Sequence, residues 1–400
     1  MKLLFVHDRF GSFGGAESNI AAVAQAFREK RQRIAILHGP GTGHGEERWR
    51  QIFEQRHPLV KGRTCESIQA ALWNFEPDAL FIHKMSDVEV LRVLAGGGVP
   101  TVRMVHDHDL YCMRSYKYDW LTRKICKRPA SLYCVFRCGA CFVRNRSSFW
   151  PFRWVSYRKK RKEIALNREF DRLIVASEYM RQELLRNGFD AARIEMHPPV
   201  PRAAEQRLTS SFSERNLIIY SGQIIRGKGV DVLLQALSKV SRPFECVILG
   251  DGNHRAYCEQ LAKDLGLSNR VRFAGFVPQE ELRGYFAEAT LAVMSSVWPE
   301  PFGASGLEAM RYGLPVVAFD AGAIKEWLID GANGFVVPWM ETAKFAARID
   351  ELLSDKALAR RLGENARTAV NDQYEFSKYI DNLENVFSRV RHSIPEEVQV

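Results

Sequence analysis

Short apolar runs recur through the N-terminal half of the chain, at Leu3–His7, Ile34–Leu37, Ala79–Ile82, Val102–Val105 and Leu173–Ala176. A glycine-rich turn, Gly11–Gly15, follows the first run and leads into Ala16–Lys30, whose apolar positions fall at helical spacing. The last run precedes a helical stretch through Arg186. Brief continuous apolar strands joined by helical crossovers predict a parallel sheet covered on both faces. Between Met196 and Glu214, Pro198, Pro199 and Pro201 precede the polar stretch Thr209–Ser213. Proline fixes φ and removes a donor, so this is the predicted domain boundary.

The pattern then restarts. Strands are predicted at Leu217–Tyr220, Cys246–Leu249, Val271–Phe273, Leu291–Met294, Pro315–Ala318 and Phe335–Val337. Helices are predicted at Val230–Val240, Arg255–Leu265, Glu280–Glu288 and Gly306–Tyr312, with more from Glu341 and a last one over Phe376–Val390. Two βα-repeating domains result, and ligands of such sheets bind beyond the carboxyl ends of the strands. A cleft between the domains is the default site.

Three glycine-rich loops follow predicted strands: Gly11–Glu17, Gly222–Gly229 and Gly250-Asp251-Gly252. Glycine allows positive φ and close backbone approach, and amides at the next helix start can hold phosphate. The same residues also serve purely geometric turns. No phosphate-loop or dinucleotide fingerprint is present. Arg226 and Lys228 add charge to the second loop, a planar fork and a mobile point charge for a diphosphate. Downstream, Glu300-Pro301-Phe302-Gly303-Ala304-Ser305-Gly306-Leu307-Glu308 is read as a turn entering a helix, with Gly303 and Gly306 framing the turn. Acids flanking an anion-binding turn need neutral partners of their own, and sugar or ribose hydroxyls are such partners.

Four hundred residues, 46% hydrophobic and 26% charged, suit two globular domains and exclude a disordered or fibrous chain. The net charge of +10 is concentrated: Cys112–Lys162 holds 15 basic residues against a single acid, Asp119. The first apolar run stops at His7-Asp8 without a cleavage-like site, and no run of about 18 apolar residues occurs, so a soluble intracellular protein is expected. Cys112, Cys126, Cys134, Cys138 and Cys141 cluster in the basic segment. Cys134-x3-Cys138-x2-Cys141 has the spacing of an iron–sulfur cluster site, but it sits in an insertion rather than after the first strand of a barrel. Structural Zn²⁺ on these five cysteines is one reading and unligated thiols the other, with the local positive charge expected to lower thiol pKa values. Aromatics interleave with the bases at Tyr116, Tyr118, Trp120, Tyr133, Phe149, Trp150, Phe152, Trp154 and Tyr157, ahead of Arg158-Lys159-Lys160-Arg161-Lys162. Such composition suits an anionic membrane surface, a nucleic acid or a merely solvated face.

Taken in order, Gly14-Gly15-Ala16-Glu17, His106-Asp107, Gly222–Gly229, Gly250-Asp251-Gly252, Phe273-Ala274-Gly275, the Glu300–Ala318 block with its Glu300-x7-Glu308 element, Gly322…Glu326 and Asp330-Gly331…Asn333-Gly334 resemble the retaining GT-B glycosyltransferases of family 4 (glycosyl transferases group 1). The resemblance covers nearly the whole chain. It implies an α/β protein of two Rossmann-like domains facing each other across a cleft. Residues 1–197 would bind the acceptor and carry the basic insertion at about 110–165, residues 215–372 would bind the nucleotide sugar, and the helix in 373–400 would pack back on the first domain.

The resemblance also assigns roles. Glu300 would bind hydroxyls of the donor sugar and Glu308 the ribose; backbone of Phe302, Gly303, Ala304, Ser305 and Gly306 would hold donor hydroxyls and phosphate; Lys228 would neutralise the diphosphate. Phe276 and Val277 would meet the base, Gly250 would belong to the nucleotide site, and Gly14 and Gly15 would face the diphosphate. His106 would sit beside the anomeric carbon. Relatives carry Gly-Arg where this chain has Gly222-Gln223, and Arg226 is the proposed substitute. A second departure is Pro338-Trp339, where a glycine and an acid are common. The implied chemistry is retaining transfer of a hexose from a UDP- or GDP-sugar, with the leaving phosphate assisting deprotonation of the acceptor. No metal or other cofactor is expected for catalysis, Asp107-x-Asp109 being read as the family's His-Asp position. The expected partners are the nucleotide sugar, a glycan or lipid-linked saccharide as in lipopolysaccharide and other polysaccharide biosynthesis, and an anionic membrane, at the inner face of which the protein would sit peripherally. Nucleic acid is not expected. The rivals are a soluble synthase acting on a small sugar or glucan, and a non-catalytic basic nucleic-acid-binding protein.

Overall fold

The computed structural model describes residues 1–12, 14–144, 152–202, 210–212 and 215–392. The chain divides into two units: Met1–Lys117, Lys127–Arg202 and Phe376–Val400 form the first, and Tyr118–Cys126 with Ala203–Glu375 the second.

The first unit contains β1 (Lys2–His7), β2 (Arg33–His38), β3 (Gln55–Pro58), β4 (Ala79–Ile82), β5 (Thr101–Val105), β6 (Phe142–Arg144), β7 (Phe152–Trp154), β8 (Arg172–Val175) and β9 (Ile194–Met196). Seven of these form a parallel sheet in the order β3-β2-β1-β4-β5-β8-β9, and β6 pairs with β7 as a separate antiparallel ribbon. The central strands read as unbroken apolar runs because both faces are covered: Leu3–Val6, Ile34–Leu37 and Ala79–Ile82 are buried throughout. The edge strand β3 is Gln-Arg-His-Pro with alternating half-burial, so it carries no apolar signal. Strand order reverses between β1 and β4, the place where such sheets open a crevice at their carboxyl ends.

The final helix, Phe376–His392, belongs to this unit. Tyr379, Ile380, Leu383, Val386, Phe387 and Val390 recur at helical spacing and are all buried. Phe387 packs edge-on against Phe27 and Phe81. Each such side chain contributes about 1.5–3 kcal/mol on burial. The exposed pairs of Lys30 with Asp381 and Glu384, and of Arg391 with Asp78, chiefly orient the helix.

The second unit contains β10 (Leu217–Ser221), β11 (Glu245–Leu249), β12 (Val271–Gly275), β13 (Leu291–Met294), β14 (Val316–Phe319) and β15 (Gly334–Val337). They form a parallel sheet in the order β12-β11-β10-β13-β14-β15, the dinucleotide-fold arrangement. Its core joins Ile218, Ile248, Val293 and Val317 to Leu233, Leu237, Phe345, Ile349 and Leu352 of the covering helices. Tyr118–Cys126 groups with this unit, whereas the sequence reading kept the whole basic segment with the first. Arg123 grips Asp231 through two bonds, Nη1–Oδ1 3.2 Å and Nη2–Oδ2 2.5 Å, both groups being buried. Among the described residues no helix is long and apolar enough to cross a membrane.

Candidate active site

In the second unit the chemistry-bearing residues follow strand ends. The loop after β10 runs Gly222–Gly229 and feeds the helix Val230–Leu237. Gly229 has φ +67°, and a Cβ there would lie 2.1 Å from the Ser295 carbonyl oxygen, so glycine is required. The Gly227 carbonyl accepts from the amides of Val297 and Trp298, and Ser295 Oγ donates to the Lys228 carbonyl. The loop is thereby tied to the segment after β13. Lys228 Nζ lies 2.7 Å from Glu300 Oε1 and 5.1 Å from the Trp298 ring centroid.

Glu300 is 2% exposed and also accepts a hydrogen bond from Ser296 Oγ. Burial raises its pKa, but Lys228 together with hydrogen bonds from Lys228, Ser296 and Trp298 outweighs it and holds the carboxyl below the ordinary range. Its backbone is clamped as well: Glu300 N–H donates to the Ala321 carbonyl and Ala323 N–H to the Glu300 carbonyl. The turn then enters the helix Ala304–Arg311 at Gly303, φ +91°. Trp327 Nε1 donates to the Phe302 carbonyl. Glu308 stands half-buried in the second turn of this helix.

Several expected contacts fall elsewhere. Gly306 lies inside the helix, not at the mouth of the turn; its N–H donates to Gly303, and a Cβ would meet Trp327 at 2.2 Å and Met294 Sδ at 2.6 Å. Its lack of a side chain serves packing. Gly250 is likewise enclosed, its N–H donating to Gly275 and its Cβ position 1.9 Å from the Gly222 carbonyl oxygen. The Arg226 guanidinium donates to the Trp120 carbonyl, so it is engaged with the Tyr118–Cys126 stretch. Gln223 is exposed, and its carbonyl accepts from Tyr220 Oη. Trp339, one of the departures from the family pattern, donates from Nε1 to the Val297 carbonyl. After β12, Phe276 is 80% exposed and Val277 half-buried.

In the first unit, β1 ends on His7, and β4 and β5 are followed at once by His83 and His106. His83 Nδ1 and His106 Nε2 are 2.9 Å apart, one donating and the other accepting. Burial, reinforced for His83 by His106 and for His106 by Lys84, keeps both well below the usual histidine pKa, so the imidazoles are neutral. Sequence reasoning missed His83 and Lys84. Lys84 Nζ lies 2.6 Å from Asp107 and 3.3 Å from Asp109, so the Asp107-x-Asp109 pair closes on an internal ammonium. His108 turns into the core against Tyr111 and Tyr179. Gly14 precedes the helix Gly15–Glu29, and a Cβ on Gly15 would meet nothing within 4 Å. A cavity of about 470 Å³ opens beside His106.

The family model for Glycosyltransferase Family 4 matches residues 13–200, and that for Glycosyl transferases group 1 matches residues 202–369. The chain belongs to the group 1 glycosyltransferases. It is 32% identical over 192 residues to an alpha-D-kanosaminyltransferase of Streptomyces kanamyceticus, covering 47% of this chain and 50% of that one. It is 33% identical over 172 residues to LpsE, a lipopolysaccharide core biosynthesis glycosyltransferase of Rhizobium meliloti, covering 43% and 49%. These matches span about half the length of each relative. Anabaena HepE, solved with UDP-glucose, superposes with a TM-score of 0.74 at 20% identity over 97% of this chain and 100% of its own. The fold is therefore GT-B, two Rossmann-like domains.

Of the two readings of the cysteine segment, structural Zn²⁺ and unligated thiols, the described residues favour the second. Among the described residues no three His, Cys, Asp or Glu side chains could hold a metal, and the cysteines are free. Cys134, Cys138 and Cys141 instead pack with Met113 and Ala140 as small apolar residues. Burial raises the thiol pKa of Cys112 and Cys138, overriding the local positive charge expected to lower it. Not all the bases are solvated either: Lys117 is buried against Glu183 at 3.0 Å, and Lys160 against Glu163 at 2.6 Å. Phe149 and Trp150 lie outside the described residues.

Proposed function

We propose that this group 1 glycosyltransferase is a retaining hexosyltransferase that moves a hexose from a UDP- or GDP-sugar to a lipid-linked or surface polysaccharide acceptor. The observation that carries the reading is the pairing of half-buried Lys228 with buried Glu300 beside the helix start at Gly303. It puts an ammonium, an ionised carboxylate and the first amides of a helix in one place, which are the groups that a diphosphate bearing a polyhydroxylated sugar requires. In the reaction the anomeric C–O bond breaks and its electron pair leaves with the diphosphate. An acceptor hydroxyl oxygen bonds to the anomeric carbon on the same face, and its proton passes to the leaving phosphate oxygen. Lys228 and the amides of Ala304 and Ser305 stabilise the growing phosphate charge, Glu300 holds sugar hydroxyls, Glu308 the ribose, and Phe276–Val277 the base. In the first unit, neutral His106 and the open helix start at Gly14–Gly15 are the groups offered to ligand.

The lipid-linked acceptor is favoured by exposed Tyr116, Leu132, Tyr133, Phe136, Phe142 and Trp154 of the basic segment. Phe136 is 78% exposed, and Phe142 and Trp154 meet edge-on across the β6–β7 ribbon. Aromatics beside exposed Arg158, Lys159, Arg161 and Lys162 suit an anionic leaflet. We expect the protein to float with anionic but not zwitterionic vesicles and to be released by salt, and Phe136→Ser with Trp154→Ser to weaken this at least tenfold. No flotation with anionic vesicles would leave a soluble acceptor.

The donor is tested by a thermal-shift screen with UDP-, GDP-, ADP- and TDP-sugars. At about 100 times Kd one of the first two should raise Tm by about 5 °C or more. Glu308→Ala should lose most of that shift. No stabilisation by any nucleotide sugar would sink the reading.

A further inference from the structure

The first unit holds a cation that the reaction as described does not use. Arg103 lies in the middle of β5 between Val102 and Met104, a position that an apolar residue would fill in a covered parallel sheet. It is 5% exposed. Nη2 donates to the Met85 carbonyl at 3.1 Å, while Nε and Nη1 have no hydrogen-bond partner among the described residues. A buried guanidinium with unfilled donors is costly unless something completes it.

The surrounding carboxylates are committed elsewhere. Asp107 and Asp109 sit on Lys84, Glu163 on Lys160, and Asp8 beside His7. Among the described residues none lies within ion-pair distance of Arg103, and burial pulls the guanidinium pKa down to about 10 although Glu163 and Asp107 act to raise it. Arg103 lines the cavity beside His106, and exposed Lys159 lines the same cavity. At about 470 Å³ the cavity has room for a sugar carrying a charged substituent.

We propose that this cavity is an oxyanion subsite, in which Arg103 binds a phosphate or carboxylate group carried by the acceptor. The inference rests on the reading that the first unit receives the acceptor, and it narrows the acceptor to an anionic one. A guanidinium matches such oxyanions in geometry and remains charged at any working pH. The neighbouring neutral imidazole of His106 can hydrogen-bond a hydroxyl of the same molecule without competing for the anion.

The test uses the full chain with saturating UDP or GDP, whichever stabilises it in the thermal-shift screen, so that the donor loops are filled. Binding of inorganic phosphate, methyl glucuronide and methyl glucoside is measured calorimetrically for the native chain, Arg103→Gln and Arg103→Lys. Phosphate or the glucuronide should bind, at least tenfold more weakly to Arg103→Gln and about threefold to tenfold more weakly to Arg103→Lys, with nucleotide affinity unchanged in both. Tighter binding of phosphate marks a phosphate-bearing acceptor, and tighter binding of the glucuronide a uronate-bearing one. The proposal is overturned if neither anion binds, if Arg103→Gln binds them as the native chain does, or if the neutral glucoside binds equally well with the same dependence on Arg103. Should Arg103→Gln fail to fold, Arg103→Lys carries the comparison alone. A native chain that binds neither UDP nor GDP would instead remove the donor reading given under the proposed function.

Discussion

Replacing Lys228 by alanine is expected to lower kcat/KM for the nucleotide sugar about 10²–10³-fold, the usual cost of removing one preorganised group that stabilises transition-state charge. The ammonium is held 2.7 Å from Glu300, so it needs no reorganisation when the diphosphate begins to leave. Its loss also strands Glu300, whose carboxylate is almost wholly buried. Removing one partner of a buried pair costs about 3–5 kcal/mol, and the lower end applies here because Lys228 is about a fifth exposed. Lys228→Ala should therefore lose stability as well as activity. The two effects separate in Lys228→Met with Glu300→Gln, which removes both charges: Tm should return to within a few degrees of the native value while kcat/KM stays depressed. Steady-state kinetics and calorimetry on the three proteins decide the matter. Activity in Lys228→Ala within tenfold of native, or activity that returns with stability in the double variant, would leave the pair a structural ion pair only.

The same pair shows what a sequence discloses and what it withholds. Lys228 and Glu300 lie far apart in the chain, yet each occupies a motif that a βα repeat places at a strand end, so strand assignment brought them to one edge of one sheet. The inner strands of the second unit were legible because they are buried on both faces and read as apolar runs, whereas β3 and β9, at the edges of the first unit's sheet, do not. His83 escaped notice although the chain carries its signal: β1 and β2 end on His7 and His38, and β4 and β5 are followed directly by His83 and His106. Histidine at the carboxyl ends of neighbouring parallel strands is a pattern of position, not of motif. The partner of Arg226 was beyond reach for another reason. Trp120 offers a backbone carbonyl, which no residue type encodes, and the stretch that carries it joins the other unit from within a basic segment whose composition spoke only of charge. The cysteine spacing left structural Zn²⁺ and unligated thiols both open, because spacing says nothing about burial; in the structure Cys141 is buried and Cys134 and Cys138 pack against it as small apolar residues.

Glycine loops invite the same confusion between geometry and ligand, and two alanine substitutions separate them. Gly250→Ala is expected to destabilise the second unit by about 3–5 kcal/mol, because its φ of +148° disfavours a side chain and the new Cβ would sit 1.9 Å from the Gly222 carbonyl oxygen. Backbone lies on the far side of that contact, so relief requires displacing the donor loop itself, and stabilisation by UDP should fall with Tm. Gly15 is the opposite case. It begins the helix Gly15–Glu29, and a Cβ there meets open space. Gly15→Ala should leave Tm unchanged or raise it slightly, since alanine is the better helix former by up to about 1 kcal/mol. If ligand phosphate approaches that backbone closely, kcat/KM in Gly15→Ala falls tenfold or more in a protein that is no less stable. If kcat/KM and Tm both hold, Gly15 only shapes the turn. A Gly250→Ala protein that melts within 2 °C of the native chain would mean that the donor loop does not rest on Gly250, and the explanation given for that glycine would be wrong.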